Sequence, residues 1–274
     1  MEIQNLTFTD GLTFTTTPSP PVITSGLQIW LSPNVPPIPN PASQNQDYWP
    51  NTAPPYVNDP AAPGSAVLLV NNYTWSPTGI IFDPKGGGSI FTIGTPVQDF
   101  TSQNAYTIEI WFNAYSNPLY STSTIMNKYA YGAGPDGNPV QGPFKVIYDE
   151  SQSIVQSGPL TPAGPPQRLC NTGPILPDTW YQLVTVYNYN SFQSGNTPAE
   201  TVQAYLNTVP NGNNSLTGIG PLINDHDAYL GKDSDFTDEG WFKGSIGIIR
   251  IYNKALSRNE IIQNFASDRN TFGI

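Results

Sequence analysis

The chain has 274 residues, of which 11% are charged, and it contains 24 Gly, 29 Pro and a single Cys. Its formal net charge is −10, with only ten Lys and Arg, so a phosphate backbone would repel it, and nucleic acid is excluded as a partner. The many Gly and Pro predict short strands joined by turns, and the lone Cys170 excludes an intrachain disulfide.

The first ten residues lack a basic segment followed by an apolar run, so we expect a protein made in the cytoplasm without a signal peptide. No window approaches 18 continuous apolar residues, which argues against membrane insertion. Residues 1–25 alternate Thr with apolar side chains and end in prolines, which predicts an extended N-terminal arm that joins a sheet edge or a neighbouring subunit. The alternative is a flexible terminus.

Residues 26–274 are predicted to form one domain. It begins with a short strand at 27–31, and a stretch at 33–63 with ten prolines follows. Proline cannot donate a ladder hydrogen bond, so this stretch is expected to run over the surface as a polyproline-like loop. Further strands are predicted at 66–70, 79–82, 89–93, 107–114, 144–148, 180–187, 202–206 and 228–230.

The strand at 107–114 carries the clearest alternation in the chain. Ile108 and Ile110 fall on one face, whereas Glu109 and Trp111 fall on the other. No Glu or Asp shares the strand with Glu109, and no repeat of 20 to 50 residues is visible.

Near the C-terminus, the spacing of apolar residues changes from that of a strand to that of a helix. Residues 245–252 are apolar or β-branched on both faces, as in an inner strand of two packed sheets. Ser257 and Glu260 then form the pattern of a capping box ahead of one short C-terminal helix. An all-β antiparallel sandwich of about ten strands follows, with a jelly roll as the nearest variant.

Several of these segments resemble a known family, the concanavalin A-like lectin/glucanase superfamily, and within it the laminin-G-like domains. The matching pieces, in the family's order, lie at 106–112, 179–187, 204–207, 228–231 and 242–261. The resemblance covers residues 27–265 and is most specific in its closing motif. It implies two curved antiparallel sheets packed face to face, and functions that include sugar binding, protein binding and, in one branch, glycoside hydrolysis.

The hydrolase branch carries a Glu-x-Asp-x-x-Glu strand, which is absent here. A retaining mechanism needs two carboxyl groups about 5 to 5.5 Å apart. Glu109 stands alone on its strand, and the adjacent Asp149 and Glu150 fall on opposite faces of any strand. The sequence therefore offers no catalytic pair, and we expect a protein that is not an enzyme.

An acidic stretch near the C-terminus is the candidate metal site. Asp225, Asp227, Asp233 and Asp235 supply the loop carboxylates that Ca²⁺ requires, and laminin-G-like domains often hold this ion at the rim of the sandwich. The alternative is a solvated acidic loop. The single histidine, His226, cannot build a zinc site with the distant Cys170.

Aromatic residues in predicted loops are the candidate ligand-binding residues. Tyr129, Tyr131 and Trp241 could stack on sugar rings or anchor a protein partner. The alternative is that most such rings pack in the core or at the rim of the sandwich. No cofactor is expected other than Ca²⁺.

The preferred functional hypothesis is a non-enzymatic structural or adhesive protein of a virus or phage particle, located at the virion surface. It rests on the absence of an export signal and disulfides, and on an arm suited to subunit exchange. Self-association and contacts with other particle proteins or surface glycans would follow. The alternatives are a stand-alone carbohydrate-binding module, with or without Ca²⁺, and a glycoside hydrolase.

Overall fold

A computed structural model describes residues 5–7, 13–15, 19–39, 46–54, 66–70, 73–82, 89–91, 105–117, 119, 121–128, 142–160, 169–189, 201–216, 228–232 and 240–274. The strands in this part of the chain are β1 (Asn5–Thr7), β2 (Thr13–Thr15), β3 (Leu27–Leu31), β4 (Ile38–Pro39), β5 (Gln46–Pro50), β6 (Ala66–Val70), β7 (Tyr73–Ser76), β8 (Gly79–Phe82), β9 (Ser89–Phe91), β10 (Ala105–Ala114), β11 (Thr122–Lys128), β12 (Gly142–Asp149), β13 (Ile154–Leu160), β14 (Cys170–Thr172), β15 (Trp180–Asn188), β16 (Thr201–Leu206), β17 (Val209–Ser215), β18 (Ala228–Leu230) and β19 (Gly244–Tyr252). The helix α1 (Arg258–Asp268) and a 3₁₀ turn at Arg269–Phe272 follow.

Two antiparallel sheets form the body of the molecule. The larger has eight strands in the order β17-β16-β15-β10-β19-β8-β7, and β3 pairs with β19 beside β8. The smaller has six strands in the order β14-β13-β12-β11-β18-β9. The predicted all-β sandwich with one short C-terminal helix is therefore confirmed.

The core lies between these two sheets. The inward side of β10 contributes Ile108, Ile110 and Phe112, which pack in one cluster with Phe144 and Val146 of β12. One hydrogen bond also joins the two sheets through this layer: the Thr185 hydroxyl of β15 donates to Ser157 Oγ of β13 over 2.8 Å. The alternation predicted for this strand therefore decides which of its side chains the second sheet covers.

The proline-rich stretch at 33–63 differs from its predicted surface loop. It contains β4 and β5, and β5 pairs with β6 in a separate three-stranded sheet with β4. The Trp49 side chain is fully buried, donates from Nε1 to the Ser32 carbonyl, and meets Trp75 edge to face. Burial of this large ring stabilises a short strand that composition alone argues against.

The predicted division between an arm at 1–25 and a domain at 26–274 stays a prediction. In the described part of the arm, β1 and β2 form a small antiparallel pair. The Ile23 amide donates to Asn264 Oδ1, and Gln263 Nε2 donates to the Pro21 carbonyl. The residues just before β3 therefore contact α1.

The capping box predicted for α1 is confirmed. The Ser257 hydroxyl accepts from the Glu260 amide, and the Glu260 carboxylate accepts from the Ser257 amide over 2.8 Å. Burial of Ile261 in a cluster with Val184 and Leu256 then fixes the helix on the outer side of the eight-stranded sheet. Within the described residues, no helix is both long enough and apolar enough to cross a membrane.

Candidate functional site

The sandwich has two outer faces, and the one on the eight-stranded sheet is covered by α1 and the 3₁₀ turn. We call it the closed face. Trp111 of β10 stacks on Phe272 with ring centroids 4.5 Å apart and on Phe265 at 5.5 Å. Trp180 packs on Phe272 as well, again at 4.5 Å.

A buried charged cluster lies beneath this cover. Arg250 of β19 donates from Nη1 to Glu109 Oε1 over 3.0 Å and binds both carboxylate oxygens of Asp268, at the end of α1, over 2.5 and 3.0 Å. Glu109 Oε1 also accepts from Gln182 Nε2 and from Trp111 Nε1. Arg250 and Glu109 have no exposed side-chain surface.

Asn264 of α1 completes the cluster. Its Nδ2 lies 2.8 Å from Glu109 Oε2 and 2.8 Å from the Tyr252 hydroxyl oxygen. Charged and amide side chains from β10, β15, β19 and α1 thus meet at one carboxylate. This arrangement attaches the helix to the sheet.

Burial sets the protonation behaviour of the cluster. It raises the pKa of Glu109 above 4.5, and this effect outweighs the opposing attraction of Arg250. Burial alone would lower the pKa of Arg250, but Glu109 and Asp268 outweigh it, so the pKa is raised and the guanidinium stays charged. The pKa of Tyr252 is raised, chiefly by burial.

Glu109 is the one acidic residue of β10, as predicted, but a second carboxylate from α1, Asp268, shares its arginine. The two residues are 159 positions apart in sequence, so strand periodicity could not pair them. They do not form an accessible catalytic pair, since Glu109 and Arg250 are both 0% exposed. The cluster is a structural device of the closed face.

The outer face of the six-stranded sheet has no helix over it in the described part of the chain, and we call it the open face. Cross-strand partners place their side chains on the same side of a sheet, so the register defines rows of neighbours. One row, the Trp241 row, is made of Asn171, Gln156, Ile147, Thr124 and Trp241. A second row, the Tyr229 row, is made of Lys145, Asn127 and Tyr229.

A lysine joins the two rows. The Lys232 Nζ lies 5.4 Å from the centre of the Tyr229 ring and 5.5 Å from the centre of the Trp241 ring. Lys232 is only 7% exposed, whereas both rings are half-buried. An ammonium between two aromatic rings holds both in place by cation–π attraction.

Asn127 lies next to this aromatic pair and is fully buried. Its Nδ2 donates to the Lys232 carbonyl over 2.8 Å, while its Oδ1 is buried without a hydrogen-bond partner. A buried carbonyl oxygen without a donor is costly, so a ligand or an ordered water that supplied a donor would stabilise it.

The position of Trp241 follows from the local chain path. Phe242 points into the core and is 1% exposed, so the preceding residue points outward. The Thr124 amide donates to the Gly240 carbonyl, and Asn117 Nδ2 donates to the Trp241 carbonyl. Trp241, predicted as a ligand-binding residue from its place in a loop, is the member of that prediction that the structure describes.

The two adjacent acidic residues at the end of β12 bind different parts of the chain. Asp149 accepts from Ser151 and Gln152; burial raises its pKa, but these hydrogen bonds outweigh burial and the net shift is downward. Glu150 accepts from the Ser116 hydroxyl and the Asn117 amide. Both carboxylates therefore order turns at the end of the sandwich.

The other predicted site residues, Tyr129, Tyr131, Asp225, Asp227, Asp233 and Asp235, lie outside the described residues. The predicted Ca²⁺ site therefore stays a prediction. Among the residues that the structure does describe, no group of three or more His, Cys, Asp or Glu side chains is placed to hold a metal ion. Cys170 is buried, and burial raises the pKa of its thiol to about 12, which disfavours the nucleophilic thiolate form.

Sequence reasoning missed Asn127, Lys232 and Tyr229. The strand β11, which carries Asn127, reads Thr-Ser-Thr-Ile-Met-Asn-Lys and has no clear alternation, because a bulge separates Thr124 from Met126. Tyr229 lies within β18, and Lys232 follows two residues after its end. No pattern in the sequence linked these residues to β11.

Comparison with solved structures places the fold among known ones. A Trypanosoma rangeli sialidase in complex with 2,3-difluoro-KDN is similar, with a TM-score of 0.60 and 20% identity, over 91% of this chain and 34% of that chain. The same organism's sialidase in complex with sialic acid gives a TM-score of 0.57 and 18% identity, over 98% and 36%. The chain thus spans about a third of the length of these sialidases.

A CBM40 module of Ruminococcus gnavus IT-sialidase bound to α2,3-sialyllactose gives a TM-score of 0.45 and 14% identity, over 59% of this chain and 82% of that chain. No curated protein matches the chain by sequence.

These likenesses overturn two predictions. The hypothesis of a virus or phage particle component is contradicted, because the similar solved structures reported above include sialidases. The prediction that the protein is not an enzyme is contradicted by the same structures. Both predictions rested on missing sequence features, and a missing motif excludes one mechanism only.

A family model of the laminin-G type, described as the concanavalin A-like lectin/glucanases superfamily, matches residues 85–262, which is more than half of the chain. The match spans the segments from which the sequence resemblance was drawn, and the two packed antiparallel sheets agree with it. This chain belongs to the concanavalin A-like lectin/glucanase superfamily.

Proposed function

We propose that this sandwich binds carbohydrate on its open face, around Trp241, Tyr229 and Asn127. Sugars present flat patches of C–H groups and a rim of hydroxyl groups. An aromatic ring buries the first, and amide groups donate to and accept from the second. The two rows of the open face carry both kinds of side chain.

One observation carries the proposal: the half-buried rings of Trp241 and Tyr229 flank Lys232 beside a buried Asn127 oxygen without a donor. A hydroxyl group from a sugar is a donor of the right kind for this oxygen. Because the Lys232 ammonium already orients both rings, little side-chain entropy is lost when a sugar stacks on them.

The closed face supports the same choice by contrast. Trp111 stacks on Phe272 there, Trp180 packs on the same ring, and α1 covers Glu109, so that side offers little accessible surface to a ligand. The superfamily to which the chain belongs includes lectins by name, and one solved sialidase structure with this fold is a complex with sialic acid, which favours sugar as the ligand class.

The test is a glycan array probed with the full chain, followed by calorimetry with the strongest glycan. We expect Trp241→Ala to weaken binding at least about tenfold, because stacking area is lost. Tyr205→Ala is the matched control, since Tyr205 is a half-buried aromatic residue on the outer side of the eight-stranded sheet. Its affinity should equal that of the wild type.

Circular dichroism and the melting temperature show whether each variant is folded. A folded Trp241→Ala variant that binds as tightly as the wild type contradicts the proposal. So does an equal loss of affinity in Tyr205→Ala, because the ligand would then lie on the closed face. No binding to any glycan on the array at high protein concentration contradicts it as well.

A further inference from the structure

We propose that Asn211 is a site of spontaneous deamidation, at which attack by the following backbone nitrogen converts the side-chain amide to aspartate or isoaspartate. The reaction consumes water and needs no enzyme, cofactor or oxidant. This inference is independent of the proposed function, because it concerns the lateral edge of the sandwich, where the two sheets meet.

The sequence at this position contains the pair of residues that the reaction favours. Asn211 is followed by Gly212, and this is the one Asn-Gly step in the chain. Glycine has no Cβ, so its nitrogen approaches the preceding side chain without obstruction, and its backbone reaches conformations that other residues avoid.

The structure places this step at an interruption of the β-ladder. The strand β17 is an edge strand of the eight-stranded sheet. Pro210 lies opposite Tyr205 and Gly212 lies opposite Ala204, so Asn211 is the extra residue of a β-bulge. Asn211 is solvent-exposed. Because a bulged residue has no direct cross-strand partner, the backbone rotation that the attack requires breaks fewer ladder contacts here than elsewhere on the strand.

The chemistry balances with water as the co-reactant. Hydroxide removes the proton of the Gly212 amide, and the nitrogen attacks Asn211 Cγ. A C–N bond forms, the bond from Cγ to Nδ2 breaks, and Nδ2 leaves as ammonia with a proton from water. Water then adds to one of the two carbonyl carbons of the resulting succinimide. The product is aspartate, or isoaspartate when the main chain continues through Cγ.

Asn211 also belongs to the junction between the two sheets. We call this junction the seam, and it consists of Asn211 and Gly212 of β17, Asn171 of β14, and Gly173, which follows β14. Asn211 Nδ2 donates to the Gly173 carbonyl over 3.3 Å, and the Gly173 amide donates to Asn211 Oδ1 over 3.4 Å. A Cβ atom added to Gly212 would lie only 2.5 Å from the Asn171 carbonyl oxygen, so the two backbones are in close contact.

Deamidation removes half of the exchange at the seam. A carboxylate has no N–H group, so it cannot donate to the Gly173 carbonyl. Isoaspartate also adds a methylene group to the main chain, and Gly212 has no room to shift toward the Asn171 carbonyl. Both products therefore weaken the seam, and they add negative charge to a chain whose formal net charge is already −10.

The competing interpretation is that the seam holds the Asn211 side chain in place, so that the reaction occurs only in the unfolded chain. The two hydrogen bonds from Gly173 are longer than most N–H···O bonds, which favours local opening of this edge while the rest of the fold stays intact. The two interpretations differ in the rate of deamidation that the folded protein shows.

The experiment incubates the folded full chain in mildly alkaline buffer well below its melting temperature. Peptide mapping by mass spectrometry measures conversion at each asparagine, and enzymatic methylation labels isoaspartate. Asn213 and Asn214 lie on the same strand but are not followed by glycine. We expect Asn211 to react at least about tenfold faster than either, which corresponds to a barrier lower by about 1.4 kcal/mol.

Variants separate the reaction from its consequence. Asn211→Gln keeps an amide but would have to close a larger ring, so conversion at this position should slow at least about tenfold. Asn211→Asp imitates one product and should lower the melting temperature. Asn213→Asp is the matched control, since it adds the same charge at an exposed residue of the same strand outside the seam. Its melting temperature should stay close to that of the wild type.

Equal rates at Asn211, Asn213 and Asn214 in the folded chain overturn the inference. Conversion of Asn211 that appears only in urea overturns it too, because the seam then protects the side chain. If Asn211→Asp and Asn213→Asp melt at the same temperature, the seam does not depend on this amide, and the structural consequence is wrong. Glycan binding by the wild-type chain is unaffected by any of these outcomes.

Discussion

The two outer faces of the sandwich differ in the partners of their polar side chains. On the closed face, Glu109 receives donors from four residues and Arg250 binds two carboxylates beneath a layer of stacked rings. On the open face, Asn127 Oδ1 is buried without a hydrogen-bond partner, and the rings of Trp241 and Tyr229 lie beside the Lys232 ammonium.

The cluster on the closed face holds α1 on the sheet, whereas the proposed ligand site lies on the open face. Both faces contain buried amides and aromatic side chains, so composition does not distinguish them. The distinguishing feature is the cover: α1 and stacked rings lie over the Glu109 cluster, whereas the described residues place no helix over Asn127. Arg250 Nε and Gln182 Oε1 on the closed face are also buried without a hydrogen-bond partner, so an unpaired atom does not by itself mark the open face. The variants below test this distinction through the free energy of unfolding.

The largest effect is expected from Arg250→Met. This change leaves Glu109 and Asp268 buried without their cation, and breaking a buried ion pair from one side costs about 3–5 kcal/mol. Urea unfolding at pH 7 measures the loss. Arg258→Met is the control, because Arg258 is exposed in the first turn of α1 and its removal should change stability by less than about 0.5 kcal/mol.

If Arg250→Met proves no more destabilising than Arg258→Met, the cluster does not attach the helix. A result of that kind would erase the difference between the two faces.

A smaller loss, about 1 kcal/mol, is expected from Ser257→Ala, which removes the side-chain acceptor of the capping box. Thermal or urea unfolding measures it. The nearby exposed change Asn259→Ala keeps the box and serves as control. Equal stabilities for the two variants would show that the box does not hold the start of α1.

Asn127→Leu should change stability by less than about 1 kcal/mol, although the side chain is fully buried. The variant loses the hydrogen bond to the Lys232 carbonyl, but it also removes an oxygen that has no donor, and the two effects offset each other. The same variant should lose glycan affinity. A loss of stability comparable to that of Arg250→Met would assign Asn127 a structural role and move it out of the proposed site.

The smallest effect is a pH dependence from Glu260. Burial raises its pKa, but hydrogen bonds from Lys254 and Ser257 outweigh burial, so the net shift is downward from 4.5. Its contribution to stability is therefore fully present above pH 4.5 and is lost as the pH falls through the lowered pKa. The stability difference between wild type and Glu260→Gln, measured by urea unfolding from pH 7 to pH 3, should shrink over that range.

Glu109 on the closed face should contribute a pH dependence of stability with the opposite sign. The raised pKa of Glu109 means that its ionisation destabilises the folded state as the pH rises above 4.5.

For Glu260, a stability difference between wild type and Glu260→Gln that stays constant down to pH 3 would contradict the prediction. It would show that the Glu260 carboxylate has the same pKa in the folded and unfolded chain.

Local pattern was enough to predict much of the fold. The strands at 27–31, 66–70, 79–82 and 228–230 have the predicted bounds, and the capping box lies where it was predicted. In each case the signal is contained in adjacent residues: a short apolar run between turn residues, or two polar residues three positions apart.

Strands with polar sequences were missed. The strand β17 reads Val-Pro-Asn-Gly-Asn-Asn-Ser, and its composition indicates a turn. It is a strand because Asn207 and Thr208 both adopt positive φ and fold it back on β16, a turn geometry suited to hairpins. Asn211 also exchanges hydrogen bonds with Gly173 beside β14. Its structure depends on its partners more than on its own residues.

The sequence by itself determined the fold class, the family and the apolar faces of the main strands, because each depends on the order of side chains along a short stretch. Only the tertiary structure decided which outer face α1 covers, which acids share Arg250, and which rings flank Lys232. The members of these groups lie up to 159 positions apart in the sequence. Contacts at such separations depend on sheet order and register, which the packing of both sheets selects together.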